Sequence, residues 1–464
     1  MSRRSAVSRR PTLINRYSLH LALLFVLLCA VWVGGGASRA DALGQVLVRS
    51  VALVLMIVAA LFADRPVVGA ARPVVVILAL ALLLVFLQLL PLPPGVWEVL
   101  PGRQPFMQAA TASGQSQPWR PLAIVPGAAI NAAASLVVPI ATLIFVLGLK
   151  EAERSLLPGM LLGFVAASML LGLVQFSGSG MDNPLINETV GYVSGTFANR
   201  NHFALFLAIG CVLAPAWAIQ SPQGGRWRVS LALGLVLLFI LLILASGSRA
   251  GLALGALGVV FGGALAQARL RRTLRGKPRW VLPVVLAVAA GLMVSSVALS
   301  VAADRAVSVN RLLMVDAESD MRGRALPTVI AMIRTYFPVG SGLGGFDPLF
   351  RMHEPFALLK PTYFNHAHND WLEIALDAGV PGIALLLASA LWWGKASVRA
   401  WRSAAGSVTA RLGSAILLLV MLASLSDYPA RTPMMMVTMV VAGVWLAGTG
   451  SLRGSALPLR SQHL

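Results

Sequence analysis

The run VSLALGLVLLFILLILA (residues 229–245), the reversal Ser246-Gly247-Ser248-Arg249 and the run AGLALGALGVVFGGALAQ (residues 250–267) decide the fold of this chain. Neither run carries a charge, and each is long enough to cross the ~30 Å hydrocarbon layer of a bilayer as a helix. Two such runs joined by a four-residue turn read as neighbouring membrane spans. Working outward with a window of about 19 residues, further apolar spans fall near residues 19–35, 43–62, 73–91, 128–148, 155–176, 203–219, 281–302, 380–394, 411–427 and 433–449. The expected fold class is therefore an all-α polytopic membrane protein with about twelve transmembrane helices and a large outer loop carrying short helices. Composition agrees: 58% hydrophobic and 12% charged residues, with mean hydropathy +0.80, lie outside the globular range.

The charges orient this bundle, because Lys and Arg near short loops accumulate on the cytoplasmic side. If the basic tail with Arg3, Arg4, Arg9, Arg10 and Arg16 is inside, that side holds 23 of the 37 Lys and Arg residues and only three of the 17 acids, Asp64, Glu151 and Glu153. The whole net charge of +20 is then cytoplasmic, and the outer face is balanced. Both termini are expected inside. The longest basic run, Arg269 to Arg279, sits between two spans, where orientation and anionic headgroups account for it. No nucleic-acid partner is expected, although a pI near 11.5 invites one. The apolar run after the basic tail exceeds a signal peptide in length, so Leu19 onward is expected to be a retained first helix. Cys29 and Cys211 fall inside spans and read as small buried hydrophobes.

Three outer stretches can build something: residues 92–127, 177–202 and 303–379. The first is rich in Pro and reads as irregular, with Trp97 and Trp119 at headgroup depth and nothing catalytic. In the third, Leu326 to Tyr336 reads as an amphipathic helix ended by Pro338. Gly340, Gly342 and Gly345 then satisfy G-x-G-x-x-G, but no strand precedes them, so a flexible tight turn is expected and not a dinucleotide site.

The chemistry is expected at Phe364-Asn365-His366-Ala367-His368-Asn369-Asp370, a polar island beside a hydrocarbon-length segment. Glu373 and Asp377 follow at i, i+4 spacing before the break Gly379-Val380-Pro381-Gly382. Four roles compete for His366 and His368. With Asp370 they offer metal ligands, although without the spacing of the usual zinc motifs. They can act as a general base on a hydroxyl, bind an anion when protonated, or simply precede a helix capped by Asn369 or Asp370. An anionic donor also needs fixed positive charge. Arg200, in Gly195-Thr196-Phe197-Ala198-Asn199-Arg200-Asn201-His202, and Arg249, in the short reversal, are the leading candidates for a diphosphate, whose geometry suits the planar guanidinium. Snorkelling anchors are the alternative for each. Arg322, Arg324 and Arg431 are weaker candidates that pairing with local Asp also explains.

With these residues in view, the chain resembles the O-antigen ligase and O-antigen polymerase superfamily of bacterial envelope glycosyltransferases. The resemblance rests on residues 195–202, on Ser246 to Gly251, on Pro338 to Gly344, and on His366 to Leu372 running into Gly379 to Gly382. It implies a membrane glycosyltransferase with a GT-C-like fold, in the bacterial inner membrane, that uses no metal or other cofactor. Such an enzyme transfers a glycan, with inversion, from a polyprenyl-diphosphate carrier to an acceptor hydroxyl at the periplasmic face. Arg200 and Arg249 match the family's diphosphate-binding arginines, and His366 or His368 matches its catalytic histidine, with His368-Asn369 the more family-like pairing. Asn369, Asp370, Arg324 and Arg431 would support the site. The implied partners are the lipid-linked glycan donor, a lipid A-core or glycan acceptor, and membrane lipids. The organisation expected is a cytoplasmic tail (1–18), N-terminal spans (19–194), a ligase-like region (195–449) containing the periplasmic loop 303–379, and a second cytoplasmic tail (450–464). Two alternatives stay open: a protein O-oligosaccharyltransferase, and a transporter or flippase of a lipid-linked glycan. The second would place ionisable groups at mid-membrane, whereas the predicted spans have almost uncharged middles.

Overall fold

The computed structural model describes residues 17–178, 183–186, 192–220, 226–273, 317–359, 364–403 and 407–448, with isolated residues at 278, 280, 291 and 295. Among these, eight helices are long and apolar enough to cross a membrane, and three more, Leu19–Gly34, Val408–Ala423 and Pro433–Ala447, are shorter and apolar. They coincide with eleven of the twelve expected spans, and the remaining one, 281–302, lies outside the described residues but for the isolated 291 and 295. The chain is an all-α polytopic membrane protein.

The bundle is organised around the helix Arg200–Gln220, whose apolar window is 83% buried, against 17–44% for the other long spans. It runs parallel to the helix Arg249–Thr273, since Gly251 lies against Ala204, Gly258 against Ala208 and Gly262 against Cys211. A Cβ on Gly258 or Gly262 would meet a backbone carbonyl at 2.5 Å. The missing side chains in this G-x-x-x-G pair are thus what bring two backbones together in the absence of a hydrophobic driving force between helices in lipid.

At one end of the bundle, helices Ala317–Tyr336 and Phe346–His353 build a second core with the start of the helix Asp370–Arg402, from Met332, Tyr336, Phe346, Leu349, Phe350 and Leu376. The first helix starts earlier than expected and tolerates Pro327 in its interior. Residues 340–345 form the expected tight turn, with left-handed Gly340, Gly342 and Gly344. Its Ser341 and Gly342 N–H groups donate to the carbonyls of Leu376 and Asp377. Trp97 is buried: its ring carries the guanidiniums of Arg103 and Arg120 and its indole N–H donates to Pro121 O. The reason is tertiary. Residues 91–92 and 120–121 pair as a two-residue antiparallel ladder that folds this stretch onto the lobe.

Candidate active site

Asn369 closes the loop and opens the helix Asp370–Arg402. Its side-chain oxygen accepts from Trp371 and Leu372 N–H, the N-cap geometry that short polar side chains favour, and its amide donates to Leu425 O. Asp370 N–H donates to Ser424 O. These bonds tie the His366 segment to residues 424–432, which are free to form a loop because the preceding helix ends at Ala423 and not at 427. Along the new helix, Asp370, Glu373 and Asp377 share one face by their i, i+3, i+7 spacing. Gly379, at φ 51 and ψ −138, then breaks the helix where the sequence placed the break.

Arg431 gathers the three carboxylates. Its Nε donates to Asp370 Oδ1 at 3.1 Å, and its Nη2 lies 3.2 Å from Glu373 Oε1 and 3.7 Å from Asp377 Oδ2. Ser424 Oγ donates to the other oxygen of Asp370, and Gly344 N–H to Asp377 Oδ2. Burial alone would lower the basicity of Arg431, but the carboxylates of Glu373, Asp370 and Asp377 outweigh it and raise its pKa, so it remains a cation. His366 is fastened to this cluster: Nδ1 lies 2.9 Å from Glu373 Oε1, and the second Glu373 oxygen accepts from Ala367 N–H. The other imidazole nitrogen faces Ser38 Oγ at 3.4 Å. Both nitrogens of His366 are therefore occupied.

A second cluster surrounds Asp427. Its Oδ2 accepts from the amides of Asn199 (3.0 Å) and Asn201 (2.7 Å), its Oδ1 from Tyr428 N–H, and Arg322 stands at 3.6 Å. Two imidazoles face it, His202 Nε2 at 3.6 Å and His368 Nδ1 at 3.4 Å. Burial would raise the Asp427 carboxyl, yet His202 and His368 hold it well below the ordinary range, so it is an anion. His368 differs from His366 in three ways. Its backbone is left-handed at φ 49, the one such non-glycine residue among those described, and a conformation this costly concentrates at functional sites. Its Nδ1 is buried without a well-aligned hydrogen bond. Its Nε2 has no hydrogen-bond partner among the described residues. Tyr428 stands between the clusters, its ring 4.2, 4.9 and 5.1 Å from those of His366, His368 and His202.

Arg200 and Arg249 are the first residues of the two parallel helices, at the same end of the bundle. Arg200 lies over the Tyr192 ring at 4.5 Å. Ser248 Oγ accepts from Gly251 N–H and so caps the second helix, while the Arg249 guanidinium has no hydrogen bond or ion pair among the described residues. A cation at a helix N-terminus opposes the helix dipole; together, dipole and cation form a place for an anion. The structure thus joins His366, Asp370 and Arg431 in one network, His368 and Arg322 in another, and sets Arg249 and Arg200 at neighbouring helix starts. Arg324 donates to Ala357 O at 2.8 Å. Among the described residues, no group of three or more His, Cys, Asp or Glu side chains could hold a metal ion.

Residues 233–387 match the family model described as O-antigen ligase (Wzy_C). The match takes in the Arg249 reversal, the glycine turn and the histidine segment, and it supports the O-antigen ligase and polymerase superfamily and glycosyl transfer of that general type. With the apolar helices it points to a bacterial membrane protein. No curated protein matches the chain. Sequence reasoning about this ligase-like region missed Asp427 and Tyr428, which lie beyond the matched residues, and gave His202 no role. The signal available was Asp427-Tyr428-Pro429-Ala430-Arg431, a polar run between two apolar helices, read only as the neighbourhood of Arg431.

Proposed function

We propose that the protein transfers a glycan from a polyprenyl-diphosphate carrier to an acceptor hydroxyl at the periplasmic face of the inner membrane, as an O-antigen ligase or a polysaccharide polymerase, with inversion and without a metal. His368 is the base. With Nδ1 turned to the Asp427 anion, Nε2 takes the proton of the acceptor hydroxyl as its oxygen attacks the anomeric carbon. Asp427 orients the ring and stabilises the imidazolium that forms. The bond to the diphosphate breaks on the opposite face of the sugar, and Arg249, with Arg200, receives the charge that develops on the leaving group. His366, held by Glu373 and Ser38, orders the wall of the site. The observation that carries this reading is the contrast in occupancy: His368 keeps one nitrogen open beside a buried anion, whereas His366 has neither nitrogen open. The gathering of ionisable groups at one end of the bundle suits a surface enzyme better than a conduit.

The test is turnover of a lipid-linked glycan by purified His368→Ala and Arg249→Ala. Loss of a general base is expected to lower the rate by roughly 10²- to 10⁴-fold, with the thermal midpoint near that of the unaltered protein. Full turnover by folded His368→Ala would remove the base assignment. Loss of turnover on chelation would return a metal to the mechanism.

A further inference from the structure

Arg49 lies inside a membrane span, six residues from the start of the helix Leu43–Phe62. That is about 9 Å along an axis of about 30 Å at 1.5 Å per residue. The helix starts at the end of the bundle that carries the candidate site. Side chains tilt toward the helix N-terminus, so the guanidinium reaches back toward the headgroup boundary on that side. Its partners there are neutral. Nη1 donates to Asn131 Oδ1 at 2.7 Å and Nη2 to Gln45 Oε1 at 3.0 Å, while Nε is buried without a partner. No carboxylate among the described residues is paired with it. A cation at this depth is costly unless an anion completes it, and Arg presents a fork suited to phosphate.

The surroundings indicate how an anion would arrive. Val46 and Ile130, beside Arg49 and Asn131 on their helices, are 64% and 58% exposed, so this face of the helix pair is open to lipid. On its inner side, Gln45 Nε2 donates to Ala37 O, and the next residue, Ser38, faces His366. We infer that Arg49, with Gln45 and Asn131, binds the phosphate group of a membrane lipid that enters laterally between the helices Leu43–Phe62 and Pro126–Ser135. The lipid is either the polyprenyl-diphosphate carrier or an anionic phospholipid of the bilayer. Neither the histidine assignment nor the transfer reaction is needed for this inference, so it stands or falls separately from them.

The experiment is native mass spectrometry of the full chain in a phosphate-free detergent with three probes: undecaprenyl diphosphate, phosphatidylglycerol, and undecaprenol as the phosphate-free control. Binding of a phosphate-bearing probe in preference to undecaprenol is expected, with at least a tenfold loss of affinity in Arg49→Gln and partial retention in Arg49→Lys. Asn131→Asp keeps the arginine but sets a carboxylate against it, and is expected to lose the same probe while remaining folded. Selective loss of undecaprenyl diphosphate would identify the carrier as the occupant, and selective loss of phosphatidylglycerol a bilayer lipid; either supports the site. Unchanged binding of both phosphate probes in folded Asn131→Asp, or in Arg49→Gln, would overturn it.

Discussion

The two polar clusters on either side of Tyr428 are built on opposite plans. Around Arg431, three carboxylates of one helix face share a single cation, and the attached imidazole of His366 has no free nitrogen. Around Asp427, a single carboxylate is surrounded by donors, and one of its two imidazoles sits on a left-handed backbone with an open nitrogen. The first arrangement joins the lobe, the 424–432 loop and the kinked helix. The second leaves one imidazole nitrogen of His368 without a partner among the described residues. On the proposed mechanism, His366 and His368 divide between holding a structure and acting on a substrate, because alternate residues of an irregular segment face different neighbours.

Breaking the Arg431 cluster is expected to have the largest effect. Arg431→Leu leaves buried acids without their cation, a loss of about 3–5 kcal/mol for a broken buried pair, read as a large fall in thermal midpoint or failure to accumulate. Next comes Gly379→Ala, since a Cβ there would collide with Pro338 O and φ 51 strains any side chain. A cost of about 2–3 kcal/mol from overpacking and left-handed strain is expected, again read by thermal melting. The comparison itself is sharpened by Glu373→Gln against Asp427→Asn. The former is expected to lower the melting temperature more than the turnover of the folded fraction. The latter is expected to lower turnover by roughly tenfold or more, equivalent to about 1.4 kcal/mol, with a smaller change in melting. The reverse order would exchange the roles given to the clusters.

The smallest effect is a control outside both clusters. Burial lowers the pKa of His353, which pairs with the Tyr336 hydroxyl. The folded state therefore takes up this proton less readily than the unfolded one, so the stability contributed is complete above pH 6.5 and declines as pH falls through that value. Thermal melting at pH 7.5 and 5.5 is expected to show a drop that His353→Gln reduces. An equal drop in that variant would remove His353 as its source.

The sequence alone determined the architecture. Apolar runs of span length must be helical in lipid, where every backbone polar group needs an internal partner, so eleven spans, the reversal at Ser246–Arg249 and the break at Gly379 were readable from local pattern. It also marked the polar segment 364–370 and the arginines at helix starts, because charge next to hydrocarbon is conspicuous. The pairing of these residues depends on packing between distant parts of the chain. Asp427 meets His368 from 59 positions away in the chain, and Arg431 reaches Asp370 across 61; neither contact leaves a periodicity to read. The burial of Trp97 was hidden for the same reason, since the strand pair and Arg103 that enclose it come from separate parts of an irregular stretch. Local chemistry fixes which residues are expensive to place in or beside a membrane, and packing alone fixes which of them neutralise one another and which nitrogen is left open.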